Sequence, residues 1–86
     1  MNYEVVLSDP AKKQLAKLDA DIRARIMTAL HLLATNPYPP ASRTLTGDQG
    51  GRMRLRIGSY RIIYSVDMNI LKVLVIRIAH RREVYR

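Results

Sequence analysis

The sequence predicts an α+β fold of two layers, in the order β-α-α-β-β-β, with a helical hairpin packed on one face of a small, mainly antiparallel sheet. Three observations lead there. Apolar residues recur at helical spacing from Ala11 to Leu33. The period then falls to two beyond Gly51, where Met53, Leu55 and Ile57 alternate with Arg52, Arg54 and Arg56. The stretches that follow are parted by turns too short to hold a helix, so they pair as an antiparallel meander. A chain of 86 residues fits one domain, residues 1–86, with one modest core.

Tyr3–Leu7, with Val5 and Val6, reads as the first strand. Ser8-Asp9-Pro10 opens a helix. Ser8 or Asp9 supplies a cap for the free N–H groups, and Pro10 suits the first turn, where its missing donor costs nothing. Ala11, Leu15 and Leu18 share one helical face. Asp19-Ala20-Asp21 breaks the pattern and offers a second cap. Ile22, Ile26, Ala29, Leu30 and Leu33 resume it, and the helix stops at Asn36-Pro37 because a residue before proline is pushed out of the helical region. The lysines of the first helix, with Arg23 and Arg25, read as a solvated face.

Tyr38–Gly51 reads as a long loop, stiff at its proline-rich start, with Leu45 as its anchor to the core. Gly58-Ser59 and Asp67-Met68-Asn69 are turns on either side of a strand over Tyr60–Val66. Leu71–Ala79 is the longest apolar stretch and reads as a central strand buried on both faces.

Charge is segregated along the chain. Residues 52–86 carry nine of the 15 Lys and Arg residues against Asp67 and Glu83, a balance of +7, while residues 1–51 carry +1. Almost all of the net charge of +8 therefore sits on strand-like sequence, which points to an anionic partner. The absence of cysteine excludes a disulfide framework, a thiolate zinc site and a cysteine nucleophile. No metal-ligand spacing, Ser-His-Asp set or glycine-rich phosphate loop occurs, so no metal or other cofactor is expected. The N-terminus lacks the pattern of a signal peptide, and no apolar run approaches the length of a membrane span. A cytoplasmic protein with no membrane partner is expected.

Strand parity places Arg52, Arg54 and Arg56 on one face, Arg77 with Ala79 and Arg81, and Arg61 with Ile63 and Ser65. Antiparallel pairing then gathers these sets on the side of the sheet away from the helices, with His80 and Tyr85 near its end. Guanidinium groups bind phosphate bidentately and stay charged at any working pH. A cluster of them holds a polyanion such as RNA and stabilises a pentacoordinate phosphate. Arginine is a poor base, so proton transfer falls to Tyr85, His80 or the substrate itself. His31 reads as a structural helix residue, and Tyr60 and Tyr64 as core.

The residues that carry this surface also carry a resemblance. RLRIGSYRIIYSVD and LKVLVIRIAHRREVYR, with AKKQLAKL early in the chain and Leu45-Thr46-Gly47 before the basic strand, resemble the RelE/ParE superfamily of toxins from type II toxin–antitoxin systems, the RelE branch in particular. The resemblance spans essentially the whole chain. It implies a ribosome-dependent endoribonuclease, an mRNA interferase, which cuts messenger in the A site of the 70S ribosome. There the messenger's 2′-hydroxyl attacks the adjacent phosphate. It also implies a cognate RelB-like antitoxin, operator DNA bound through the antitoxin complex, and a monomeric free toxin. Carried over by position, the family's basic pair falls at Arg52 and Arg54, with Arg56 following. Its YR motif falls at Tyr60-Arg61, and its C-terminal Arg and Tyr at Arg81 and Tyr85. Arg61 and Arg81 would then hold the scissile phosphate, with Arg52, Arg54, Arg56, Arg77 and Arg82 on the RNA backbone and Tyr85 or His80 moving the proton. Arginines stand where lysines are common, which favours a phosphate clamp over a general base at those positions. No helix is expected after the last strand, since the sequence ends at Arg86. Two rival readings share the fold: a ParE-type inhibitor of DNA gyrase without nuclease activity, and a catalytically inactive module that binds only antitoxin or nucleic acid.

Overall fold

A computed structural model describes residues 2–45 and 51–80. Its elements are β1 (Glu4–Leu7), α1 (Asp9–Ala16), α2 (Ala20–Thr35), β2 (Ser42–Thr44), β3 (Met53–Ile57), β4 (Tyr60–Asp67) and β5 (Lys72–His80). Two helices pack on one face of a five-stranded sheet of order β1-β5-β4-β3-β2. β1 runs parallel to β5, and the other pairs are antiparallel. The expected α+β class and the β3-β4-β5 meander are both present. The expected loop over Tyr38–Gly51 is corrected in one respect: Ser42–Thr44 pairs with β3 as a short edge strand.

Ser8 caps α1 and ties it to the sheet. Its Oγ accepts from the Ala11 N–H at 3.2 Å and donates to the Ile76 carbonyl at 2.8 Å, while its own N–H donates to the Val75 carbonyl. Past Leu7, among the described residues, no strand pairs with that flank of β5, and α1 takes over: Gln14 Oε1 accepts the Ile78 N–H at 2.7 Å. A buried backbone donor is thus satisfied by a helix side chain. α2 ends as expected at Asn36, and the Tyr64 hydroxyl donates to the carbonyl of the following Pro37 at 2.7 Å. This bond anchors the start of the connection in the core. Leu45, the expected anchor, is half-buried, and its N–H donates to the Arg52 carbonyl.

The core lies between the layers. Ala11, Ile26, Ala29, Leu30 and Leu33 from the helices meet Leu55, Ile62, Tyr64, Val73, Val75 and Ile78 from the sheet. Val73, Val75 and Ile78 do not keep an even spacing, and the reason is a β-bulge. Ile63 is paired with Arg77 but Tyr64 with Val75, which leaves Ile76 as the extra residue. The bulge shifts the phase of β5. Without it Arg77 would fall on the same face as Val73 and Val75, inside the core. With it Arg77 moves to the face away from the helices.

β5 is not buried on both faces as its composition suggested. Lys72, Leu74 and Arg77 are exposed, and Leu74 retains 42% of its surface. Among the described residues, no helical layer covers the face on which they stand.

Candidate functional site

The register of the strands assembles the arginines into two transverse rows. Arg43 of β2 stands opposite Arg54 of β3, which stands opposite Ile63 of β4, which stands opposite Arg77 of β5. Two residues along, Arg56 of β3 faces Arg61 of β4, and Arg61 faces Ala79 of β5. Directly opposed residues of an antiparallel pair share a face, so all five guanidinium-bearing residues stand on the side away from the helices. The expected union of Arg54, Arg56, Arg61 and Arg77 is therefore realised at the level of strand register.

Like charges directly opposite each other destabilise a sheet. Here that happens twice, at Arg43 with Arg54 and at Arg56 with Arg61. The nearest acid of β4 on the same face is Asp67, six residues from Arg61, about 20 Å away along the strand. Its Oδ1 accepts from the N–H groups of Asn69 and Ile70 and so serves the turn. Glu4 pairs with Lys72 at 3.7 Å at that same far end. A face that carries several guanidinium groups is suited to an anion.

Individual positions differ. Arg61 is buried, with 1% of its surface exposed, and its Nη1 donates to the Tyr60 carbonyl at 3.1 Å. Arg54 is half-buried, and Arg56 and Arg77 are exposed. Arg52 is exposed just ahead of β3. A shallow cavity of about 350 Å³ is lined by Ala41, Arg43, Arg54 and Arg56. Arg43 was not anticipated as part of the site, because its strand is only three residues long. The alternation Ser-Arg-Thr and the β-branched Thr44 are the faint signals that mark it.

His80 is a correction. It was expected beside the guanidinium surface, but its partner across the sheet is Tyr60, on the helix side of β4 with Ile62 and Tyr64. The two rings meet edge-on, with centroids 5.4 Å apart and planes at 80°. The bulge at Ile76 causes this reversal, since it moves Arg77 and Ala79 to one face and Ile78 and His80 to the other. Arg81, Arg82 and Tyr85 lie outside the described residues. Tyr64 is fully buried and Tyr60 packs against the core, as expected. Burial pushes the Tyr64 phenol above its ordinary value, an effect opposed by a hydrogen bond with Ser42 and reinforced by Tyr38. Arg25 is exposed as expected, and its guanidinium lies over the β3–β4 turn, where Gly58 has φ +58° and a Cβ would stand 3.3 Å from Nη1. Among the described residues, no three His, Asp or Glu side chains come together to hold a metal ion, and no helix is long and apolar enough to cross a membrane.

Fold and site together define a small basic α+β protein with a cluster of arginines on one face of its sheet. Residues 5–85 match the family described as the ParE toxin of type II toxin–antitoxin systems, parDE, and the chain belongs to that family, within the RelE/ParE superfamily. It is 30% identical to Toxin RelG of Mycobacterium tuberculosis over all of this chain and 99% of that protein. Its fold is similar to that of a chain in the toxin–antitoxin complex RelBE2 of the same organism, with a TM-score of 0.81 and 28% identity over 94% of this chain and 100% of the other. It is also similar to a chain of the archaeal RelE–RelB complex from Pyrococcus horikoshii, with a TM-score of 0.82 and 26% identity over 94% of this chain and 97% of the other. The protein is a toxin of a type II toxin–antitoxin system.

Proposed function

We propose that this toxin is an endoribonuclease that cleaves messenger RNA in the ribosomal A site. The observation that carries the reading is the opposed pair Arg56 and Arg61, flanked by Arg54 and Arg77, on one face of the sheet. The messenger's 2′-oxygen attacks the adjacent phosphorus and a new O–P bond forms. The P–O5′ bond breaks, giving a 2′,3′-cyclic phosphate and a free 5′-hydroxyl. One proton leaves the 2′-hydroxyl and one reaches the 5′-oxygen. Arg61, with Arg81, holds the scissile phosphate and its developing charge, and loss of one such donor costs about 10²–10³ in rate. Arg52, Arg54, Arg56, Arg77 and Arg82 position the RNA backbone. Tyr85 is the first candidate for proton transfer. His80 is the second, because its register puts it on the helix side. The nucleophile belongs to the substrate and the positive charge to the arginines, so no step calls for a metal ion.

The toxin's partner is a cognate RelB-like antitoxin, a reading supported by the complexes of the RelBE2 and RelE–RelB relatives. A net charge of +8 favours carboxylates on that partner. An apolar groove of about 380 Å³, lined by residues such as Val5, Leu7, Leu15 and Met27, suits an amphipathic helix. Operator DNA would be engaged through that complex, in the cytoplasm.

The family model matched is that of ParE toxins, and it favours a second reading, inhibition of DNA gyrase. Two assays on the same preparation separate them. Primer extension on a defined messenger compares programmed ribosomes with naked RNA, and a supercoiling assay uses purified gyrase. Cuts within the A-site codon on ribosomes alone support the nuclease. Intact messenger with blocked supercoiling replaces it with the gyrase reading.

A further inference from the structure

We propose that Gln14 is a positioning residue for the arginine face: together with Ser8 it clamps β5 on both sides of Arg77 and holds Arg77 in the row with Arg54. The proposal rests on the nuclease reading for its ligand, an RNA strand, and adds a residue from the opposite layer that itself touches no RNA. Its starting point is the β-bulge. In a regular strand successive carbonyls point to opposite flanks, but those of Val75 and Ile76 both meet Ser8. The Ser8 N–H donates to Val75 at 2.9 Å and its Oγ to Ile76 at 2.8 Å. Two residues on, the Ile78 N–H donates to Gln14 Oε1 at 2.7 Å. Arg77 is the residue between these contacts.

α1 is built to act as a splint. Ser8 caps it, so the contact at Ile76 is tied to the first turn of the helix. Ala11 is wholly buried and small enough to let the helix lie close to the sheet, and Gln14 follows it by three residues on nearly the same face. A half-buried glutamine thus reaches the backbone of β5. Ile78 is buried, so its N–H needs an acceptor from the protein. Remove that acceptor, and β5 beyond Ile76 shifts to satisfy the donor.

The clamp bears on function because the bulge decides the side on which Arg77 stands. With the bulge held, Arg77 opposes Ile63, which opposes Arg54, and it joins that row on the face away from the helices. In an unbulged strand it would share the helix side with Val73 and Val75. A guanidinium grips phosphate through a planar fork, so a displaced backbone weakens the contact even though the charge remains. Gln14 therefore acts on RNA through Arg77.

The test follows binding of a 2′-O-methyl trinucleotide, which resists cleavage, by calorimetry. It compares the wild type, Gln14→Leu, Gln14→Glu, Arg77→Ala and the double variant Gln14→Leu with Arg77→Ala, with thermal melts of each and hydrogen exchange at the Ile78 amide. Arg77→Ala weakens binding about tenfold, the loss of one charge-assisted contact. Gln14→Leu weakens it by a large part of that factor and speeds exchange at Ile78. Gln14→Glu keeps an acceptor, so it restores the protection and most of the affinity. The double variant binds about as Arg77→Ala does, because both changes remove the same contact. Ile26→Val, which lowers stability through the core, leaves affinity unchanged. The proposal is overturned if Gln14→Leu binds as the wild type does, if the two single losses add in the double variant, if Gln14→Glu fails to restore binding, if Ile26→Val weakens binding as much as Gln14→Leu (which marks mere destabilisation), or if the wild type does not bind the trinucleotide. Wild-type protein that gives the expected pattern yet leaves ribosome-bound messenger intact sinks the nuclease reading and leaves the positioning role standing.

Discussion

Arg56 faces Arg61 across two hydrogen-bonded strands. A like-charged cross-strand pair costs about 0.2–1 kcal/mol. Arg56→Thr removes the repulsion and adds a good strand former, so it is expected to raise the melting temperature by a few degrees. The same change weakens the hold on RNA and lowers cleavage by about tenfold or more. Stability and activity moving in opposite directions is the mark of a residue kept for binding; a parallel fall in both contradicts it. Tyr64 makes a different prediction. Its phenol is raised by burial and its hydroxyl donates to Pro37. A raised acid binds its proton more tightly in the folded state. Its contribution is complete below the unfolded value near pH 10 and is lost as pH climbs from there through the folded value. Urea melts should show alkaline destabilisation beginning near pH 10. In Tyr64→Phe this part of the pH dependence should vanish, at the cost of the buried hydrogen bond.

At the scale of elements, Ser8 joins helix to sheet. It caps α1 and binds the Ile76 carbonyl at the bulge, so Ser8→Ala should cost about 1–3 kcal/mol, read as a lower urea midpoint with unchanged slope. If the bulge depends on this bond, the Arg77 and His80 resonances shift as well. The bulge also explains where sequence reasoning stops. Periodicity located both helices and the three long strands, because Ile26, Leu30 and Leu33 keep a helical period and Leu55, Ile62 and Tyr64 share a face under an uninterrupted pairing. It placed Arg54, Arg56 and Arg61 correctly for the same reason. The extra residue at Ile76 has no local signature: the carbonyl contact it makes is with Ser8, 68 positions away in the chain. His80, expected near the end of the guanidinium surface, pairs instead with Tyr60 on the helix side. β2 was missed because three residues are too few to establish a period, and with it went Arg43.

For the whole molecule, the organising fact is a charge of +8, of which +7 falls in residues 52–86. Binding to single-stranded RNA should weaken steeply with salt, by about 0.7 in log–log slope for each phosphate neutralised. A helical layer packs on one face and gives the sheet its core, and the arginines stand on the other face. The central claim is that this face cleaves messenger on the ribosome. The measurement that tests it most directly is primer extension on programmed ribosomes with the wild type and Arg61→Lys, after thermal melts confirm that both are folded. Arg61→Lys keeps the charge but loses the planar fork. The account predicts A-site cuts by the wild type, reduced about 10²-fold or more in the variant. Equal cutting by both proteins, or no cutting by folded wild type, would contradict it.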